Sequence, residues 1–167
     1  MSTASEGPTD GVWCIVVAAG SGRRFGAPKQ FERIGDERVV DRSVRIAASV
    51  CDGVVLVLPS AAASEVVEHA TVTVAGGATR SESVRRGLDR VPPDAIVLVH
   101  DAARPLASPE LFERIIAAVR DGAAAAVPVV AVADTIRDVD RGVVDRDRLR
   151  AVQTPQGFDG AALRPAH

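Results

Sequence analysis

Short runs of apolar residues alternate along the chain with segments in which apolar residues recur every three or four positions. Residues 12–18 form one apolar run closed by glycine, and residues 54–58 form another that is stopped by Pro59. Runs this short are typical of strands buried on both faces of a parallel sheet. Between them, apolar residues over 40–48 recur at helical spacing, so this stretch predicts one strand–helix–strand unit.

The same alternation continues through the next part of the chain. It predicts helices over residues 64–70 and 81–88 and a further helix opened by Pro109, with strands over residues 71–74, 95–99 and 123–127. Regular alternation of strands and helices is typical of doubly wound α/β proteins. We therefore predict a Rossmann-like fold with a mostly parallel sheet.

The alternation ends at Pro128. Residues 133–140 and 142–146 are two short, strongly charged strand patterns on either side of a turn at Arg141 and Gly142. Such a hairpin has too few apolar residues for a core of its own, so we expect a protruding β-arm over about residues 133–146. A second copy of the chain is a reasonable support for this arm, which predicts a homodimer.

The two ends of the sequence differ in character. Residues 1–11 are polar and lack the basic stretch of a secretory signal, so we expect a disordered leader before a single domain. Near the other end, Asp159 is expected to cap a short helix that nothing follows. We expect the domain over residues 12–167 to be incomplete at its C-terminal end, and the alternative is a naturally frayed tail.

The composition disfavours two classes of partner. Hydrophobic residues make up 47%, charged residues 25% and aromatic residues 3%, with a formal net charge of -2. This balance provides no basic field and few stacking surfaces for nucleic acid, and no apolar run approaches the length of a membrane span. Cys14 and Cys51 lie in apolar surroundings without metal-ligand spacing, which indicates free thiols in a reducing cytoplasm.

Candidate chemistry is concentrated in loops that follow predicted strands, where open α/β sheets bind their ligands. The first loop, GSGRRFGAPK at residues 20–29, ends in Lys29, the only lysine among the 20 Lys and Arg residues. Its glycines let backbone N–H groups approach an anion and its three cations add positive charge, so we expect it to bind phosphates. Its spacing fits neither a Walker A loop nor the dinucleotide fingerprint, and an exposed glycine-rich turn is the alternative.

Two later loops add polar groups. Residues 75–83 form a tight turn before a helix with Ser81 as the expected N-cap, and its free N–H groups and hydroxyls suit the edge of a base. An ordinary capped turn is the alternative. Asp101 ends a strand where Mg²⁺ could use its carboxylate, and Arg104 follows three residues later. An Asp–Arg surface pair is the alternative there, and His100 is interpreted as a structural residue.

The motifs VVAAGSGRRFGAPKQF, AGGATRSESV, VLVHDAARP, ADTIRDVD and AVQTPQGF, in this order, resemble the 2-C-methyl-D-erythritol 4-phosphate cytidylyltransferases of the non-mevalonate isoprenoid pathway. The resemblance covers residues 12–158. It implies that CTP and 2-C-methyl-D-erythritol 4-phosphate are coupled with a divalent cation, Mg²⁺, to give 4-diphosphocytidyl-2-C-methyl-D-erythritol and pyrophosphate. A ribitol 5-phosphate cytidylyltransferase would share nearly all of these motifs. A nucleotide-binding module without turnover is the alternative from another class, and the glycine spacing disfavours a nicotinamide-dependent oxidoreductase.

The resemblance also implies roles for individual residues. Arg24 and Lys29 match the family's transition-state stabilisers, and Asp101 matches both a substrate contact and a metal ligand. The other matches are substrate contacts at Arg146, Thr135 and Arg104 and nucleotide contacts at Ala18, Ala19, Gly20, Gly22, Gly77 and Ser83.

Two departures from the family's pattern qualify these roles. Ala78 stands where some members carry an acidic residue, which leaves no side chain there to read the base. The family also continues past His167 with a second metal-binding aspartate and a lysine for the sugar phosphate, and neither residue is assigned in this sequence.

Overall fold

A computed structural model describes residues 11–20 and 28–166 of the chain. Its strands, in chain order, are β1 (Val12–Val17), β2 (Arg33–Ile34), β3 (Glu37–Arg38), β4 (Gly53–Leu58), β5 (Val72–Ala75), β6 (Ile96–Asp101), β7 (Ala125–Ala126), β8 (Val129–Ala131), β9 (Ile136–Asp138), β10 (Gly142–Val144), β11 (Arg150–Val152) and β12 (Gln156–Asp159). Its α-helices are α1 (Val39–Ala48), α2 (Arg80–Leu88), α3 (Pro109–Arg120) and α4 (Gly160–Leu163). Within the described ranges, no helix has the length and apolar character needed to cross a bilayer.

The central sheet has the strand order β5–β4–β1–β6–β12–β7. The first four of these strands are parallel neighbours, whereas β12 runs antiparallel to both β6 and β7. In the middle, Cys14 of β1 lies beside Val54 of β4 and Leu98 of β6, and all three side chains are buried. The prediction of a mostly parallel α/β sheet is confirmed.

Helices cover both faces of this sheet. Apolar side chains of α1 and α3 pack with Cys14 and Val16 on one face, and those of α2 and α4 pack with Ile15 on the other. The approach of α2 is close, because a Cβ atom added to Gly87 would lie 2.6 Å from Cγ2 of Ile15. The fold is therefore doubly wound, as the alternation predicts.

The prediction of a helix over residues 64–70 is wrong. A single 3-10 turn, Ser60–Ala62, follows β4, and the rest of this connection is irregular. Val67 is buried, but the neighbouring Val66 is 93% exposed. One buried residue cannot provide the apolar stripe that stabilises a short helix, so the segment crosses to β5 without one.

The strand predicted over residues 123–127 is shorter than expected. Only β7 forms, at the edge of the sheet beside β12. The helix cap predicted at Asp159 is present, since its carboxylate accepts from the N–H of Ala162 at 2.9 Å.

The predicted hairpin is also present. Strands β9 and β10 pair antiparallel, and the turn between them is closed by Asp138, whose carboxylate accepts from the N–H groups of Asp140 and Arg141. A second antiparallel pair, β8 with β11, flanks this hairpin in the sequence, and we include it in the arm, which we define as residues 129–152.

Candidate functional site

The loops after β1 and β6 and the start of α2 meet at a cavity of about 910 Å³, which we call the first cavity. This position, beyond the carboxyl ends of adjoining parallel strands, is where open α/β sheets bind ligands. Seven of the residues proposed from the sequence line it: Ala18, Ala19, Gly20, Gly77, Ser83, Asp101 and Arg104. Gly22 and Arg24 lie outside the described residues.

The loop after β1 is anchored from within the protein. The N–H of Ala18 donates to the carbonyl of Val57 at 2.8 Å, which continues the parallel pairing beyond β1. Gln30 is buried and its amide donates to the carbonyl of Gly20 at 3.1 Å. Sequence reasoning missed Gln30, because a single polar residue beside Lys29 carries no periodic signal of burial.

The turn before α2 differs from the prediction in one important respect. Thr79, and not Ser81, is the N-cap, since its hydroxyl accepts from the N–H of Glu82 at 3.1 Å. The N–H of Gly77 donates to Oγ of Ser83 at 3.1 Å, and the N–H of Ala78 donates to Oε2 of Glu82 at 2.8 Å. The N–H groups of Gly77, Ala78 and Glu82, which were expected to be free for a base, are therefore engaged within the protein.

The turn also requires its glycines. A Cβ atom on Gly76 would collide with the side chain of Ala19, and one on Gly77 would collide with the side chain of Glu82. The absence of a side chain at these positions lets the turn lie directly against the loop after β1 and against the first turn of α2.

Glu82 and Arg86 hold this turn from the helix side. Oε1 of Glu82 lies 2.6 Å from Nη2 of Arg86, and Nη1 of Arg86 donates to the carbonyl of Gly76 at 2.9 Å. The hydrogen bond from Ala78 and the adjacent guanidinium lower the pKa of the Glu82 carboxyl below its usual value. Neither residue was proposed from the sequence, although the Glu–Arg spacing of four on a helix is a recognisable pair.

Asp101 forms an Asp–Arg pair, but with Arg80 rather than with Arg104. Its Oδ1 accepts from Nε of Arg80 at 3.0 Å and lies 3.0 Å from Nη2 of the same guanidinium. Arg104 instead donates to the side-chain oxygen of Gln153. Within the described ranges, no group of three or more His, Cys, Asp or Glu side chains forms a metal cage.

His100 supports the backbone of the same strand end. It is buried, with its Nδ1 3.1 Å from Oγ1 of Thr154 and its ring edge-on to Phe112. The hydroxyl of Thr154 also accepts from the N–H of Asp101 at 3.2 Å. Burial lowers the pKa of His100 to about 4, so the imidazole is neutral near pH 7. These contacts agree with a structural interpretation of His100.

Lys29 borders a neighbouring space, which we call the second cavity. This cavity has a volume of about 600 Å³ and shares Ala103 and Arg104 with the first. Its lining is largely apolar and includes Ile34 and Leu111. The structure thus places Lys29 next to the first cavity, with Arg104 between the two spaces.

The arm residues proposed from the sequence lie elsewhere. Thr135 and Arg146 line neither cavity, and Arg146 donates to the carbonyl of Ala133 at 2.6 Å. The arm also exposes apolar side chains that its own hairpins leave uncovered, namely Val129, Val130, Ile136, Val139, Val143 and Val152. Within one chain, the structure does not bring the arm residues to the site.

Comparison with known proteins gives concordant results. The family model of 2-C-methyl-D-erythritol 4-phosphate cytidylyltransferase (IspD) matches residues 12–167. A curated protein of that name from Streptomyces coelicolor is 44% identical over 92% of this chain and 66% of its own length. One from Rhodococcus opacus is 43% identical, covering 93% of this chain and 74% of its own.

A crystal structure of the Thermus thermophilus enzyme of that name superposes with a TM-score of 0.78 at 35% identity. The match covers 95% of this chain and 75% of that one. The chain therefore spans about two thirds to three quarters of the length of these similar proteins.

Proposed function

Because the chain belongs to the 2-C-methyl-D-erythritol 4-phosphate cytidylyltransferase family, we propose that it transfers a cytidylyl group from CTP to 2-C-methyl-D-erythritol 4-phosphate. The products are 4-diphosphocytidyl-2-C-methyl-D-erythritol and pyrophosphate, in non-mevalonate isoprenoid precursor biosynthesis. The observation that supports this most is the convergence of three glycine-rich or acidic strand-end loops on the first cavity.

The reaction needs positioning and charge stabilisation more than proton transfer. An oxygen of the sugar-alcohol phosphate attacks the α-phosphorus of CTP, and the bond to the bridging oxygen of the leaving pyrophosphate breaks. A phosphomonoester has a second pKa of ~6, so the nucleophile is largely ionised near neutral pH. The site therefore requires cations and N–H donors around the reacting phosphates rather than a general base.

We assign a role to each proposed site residue mainly from the cavity that it lines. Nucleotide contacts are assigned to the residues of the sequence proposal that line the first cavity, and the reacting phosphates are assigned to Lys29 and Arg24. Lys29 borders the second cavity beside Arg104, which suits a cation that lies between nucleotide and sugar phosphate. A flexible ammonium can follow charge from the α-phosphate to the leaving pyrophosphate, whereas a guanidinium fork is tied to one geometry.

A magnesium ion is part of the proposal. Asp101 offers one carboxylate at the mouth of the first cavity, and Mg²⁺ is commonly held by one or two carboxylates together with substrate phosphates. The donor set thus fits an ion that arrives with the nucleotide, for which Asp101 is the protein ligand. When bound, such an ion neutralises the charge of the phosphate oxygens.

We also propose that two copies of the chain form a homodimer in the cytoplasm, without nucleic acid or membrane as partners. The exposed valines and isoleucine of the arm favour burial against another copy, since an isolated two-stranded hairpin is marginal in water. Thr135 and Arg146 would then contact the sugar phosphate in the site of the partner copy.

The decisive experiment incubates the full-length protein with CTP, Mg²⁺ and one sugar-alcohol phosphate at a time and follows pyrophosphate. We expect rapid release with 2-C-methyl-D-erythritol 4-phosphate and little with ribitol 5-phosphate. The reverse preference would assign the ribitol 5-phosphate reaction instead. Binding of CTP without pyrophosphate release for either acceptor would contradict an enzymatic role.

A further inference from the structure

Gly77, Ala78 and Ser83 form one edge of the first cavity. Their hydrogen-bond donors are bonded to other groups of the same turn. The N–H groups of Gly77 and Ala78 bond to the side chains of Ser83 and Glu82. The hydroxyl of Ser83 in turn donates to the carbonyl of Thr79 at 2.9 Å. With these donors used, the edge offers a base the carbonyl oxygens of its backbone, so we interpret it as an acceptor surface. Arg80 lines the same cavity, but its guanidinium is paired with Asp101.

Glu82 is fixed in this arrangement by a closed set of contacts. One carboxylate oxygen accepts from Ala78, and the other pairs with Arg86 at 2.6 Å. Arg86 completes the ring by donating to the carbonyl of Gly76 at 2.9 Å, on the other side of Gly77. The turn is therefore held at both ends by one Glu–Arg pair, whose side chains are 31% and 40% exposed.

An acceptor that faces position 4 of the base distinguishes the two common pyrimidines. Cytosine presents an amino group at its position 4, which is a donor, whereas uracil presents a carbonyl oxygen there, which is an acceptor. We propose that Glu82 is a positioning residue that sets the preference for cytosine over uracil by keeping the N–H of Ala78 away from the base. This inference rests on the proposed cytidylyl transfer, because it concerns the nucleotide of that reaction.

Ala78 leaves recognition at this position to the backbone. It offers only its backbone, so the orientation of that peptide decides what the base meets. Without the carboxylate of Glu82, the N–H of Ala78 becomes available as a donor and matches the oxygen of uracil. A site that pairs its polar groups with the correct substrate rejects the analogue that leaves them unpaired, and this penalty is lost when the site can adapt.

The test compares CTP and UTP as substrates of the full-length protein, with Glu82→Ala and the milder Glu82→Gln, which keeps an oxygen for Ala78. We expect Glu82→Ala to raise kcat/KM for UTP relative to CTP by about tenfold, mainly through KM, while kcat with CTP changes by about twofold or less. Glu82→Gln should lie between this variant and the wild type. Glu110→Ala is the matched control, because Glu110 is also a first-turn glutamate but belongs to α3 and lines neither cavity.

The outcomes separate this inference from the proposed function. If Glu82 only stabilises α2, Glu82→Ala will lower the melting temperature and leave the CTP/UTP ratio at the wild-type value, which overturns the inference. An unchanged ratio in Glu82→Ala with unchanged melting also overturns it. If the wild type releases no pyrophosphate from CTP, the proposed function itself fails, and calorimetric binding of CTP and UTP to the same variants then tests the selectivity directly.

Discussion

Acidification from pH 7 to pH 5 is expected to destabilise the fold through His100. Its imidazole is buried against Phe112 and Thr154, and burial lowers its pKa to about 4. Burial has the largest effect on this pKa. The charge of Asp101 and a hydrogen bond with the backbone of Arg104 raise the pKa, whereas the charge of Arg104 lowers it. The folded state therefore favours the neutral form of the imidazole.

The direction of the pH effect follows from the protonation of His100 in the folded and unfolded states. In the unfolded chain the imidazole has a pKa of about 6.5 and takes up a proton below that pH, whereas in the fold it stays neutral until about pH 4. Stability from His100 is therefore complete above pH 6.5 and is lost as the pH falls towards 4. Between pH 7 and pH 5 the loss is about 2 kcal/mol.

Urea unfolding at pH 5, 6 and 7 measures this loss. The single tryptophan, Trp13, lies in β1 at the centre of the sheet and provides a fluorescence signal for the same transition. Between pH 7 and pH 5, the free energy of unfolding of the variant His100→Gln should fall by about 2 kcal/mol less than that of the wild type. This difference does not depend on the absolute stability of the variant. Staying at pH 5 or above keeps small the contribution of carboxyls with lowered pKa, such as those of Glu37, Glu82 and Glu110, because their unfolded value is 4.5.

His69→Asn provides the matched control. His69 is an exposed histidine with a φ of 67°, a conformation that asparagine tolerates, so the variant removes a histidine without straining the backbone. Equal pH dependence in wild type and His100→Gln would refute the reasoning, because it would show that the imidazole is protonated as readily in the fold as in the unfolded chain.

The remaining predictions concern the site and are measured in the full-length protein. Lys29→Arg should keep the affinity for CTP but lower kcat, and a wild-type kcat would remove the ammonium from the mechanism. Arg80→Gln should tighten Mn²⁺ binding to the CTP complex by about threefold in electron paramagnetic resonance titrations, since Asp101 no longer pairs with a guanidinium; weaker Mn²⁺ binding would refute competition. Mixing Arg146→Ala with Arg24→Ala should restore part of the activity through hybrid dimers, and no recovery after proven subunit exchange would contradict a site shared between copies.

The sheet was predictable because its strands carry a strong local signal. Every residue of β4 is buried, so its sequence is apolar without interruption, and Pro59 marks its end. The connection at residues 64–70 was not predictable in this way. Val66 and Val67 resemble part of a helical face, and only the packing of the completed fold shows that one of them is buried and the other exposed.

The arm shows a second limit of local patterns. Charged residues and Gly142, which adopts a φ of 87°, indicated the hairpin of β9 and β10. The pairing of β8 with β11 joins residues about twenty positions apart. Loop closure over that distance is decided by the whole chain, and neither strand has a turn beside it that would reveal the pairing.

The candidate site also contains residues that were recognisable from the sequence and residues that were not. Open α/β sheets bind ligands beyond the carboxyl ends of their strands, so Gly77 and Asp101, which line the first cavity, were recognisable as candidates from their position after strands. The residues that hold them, Glu82 and Gln30, act through hydrogen bonds to backbone atoms of residues four and ten positions away. Such bonds leave no periodic pattern, because any backbone carbonyl or N–H can be the partner. The groups that we propose to contact a ligand are therefore visible in the sequence, whereas the groups that fix the orientation of those loops become visible only when the peptide planes are in place.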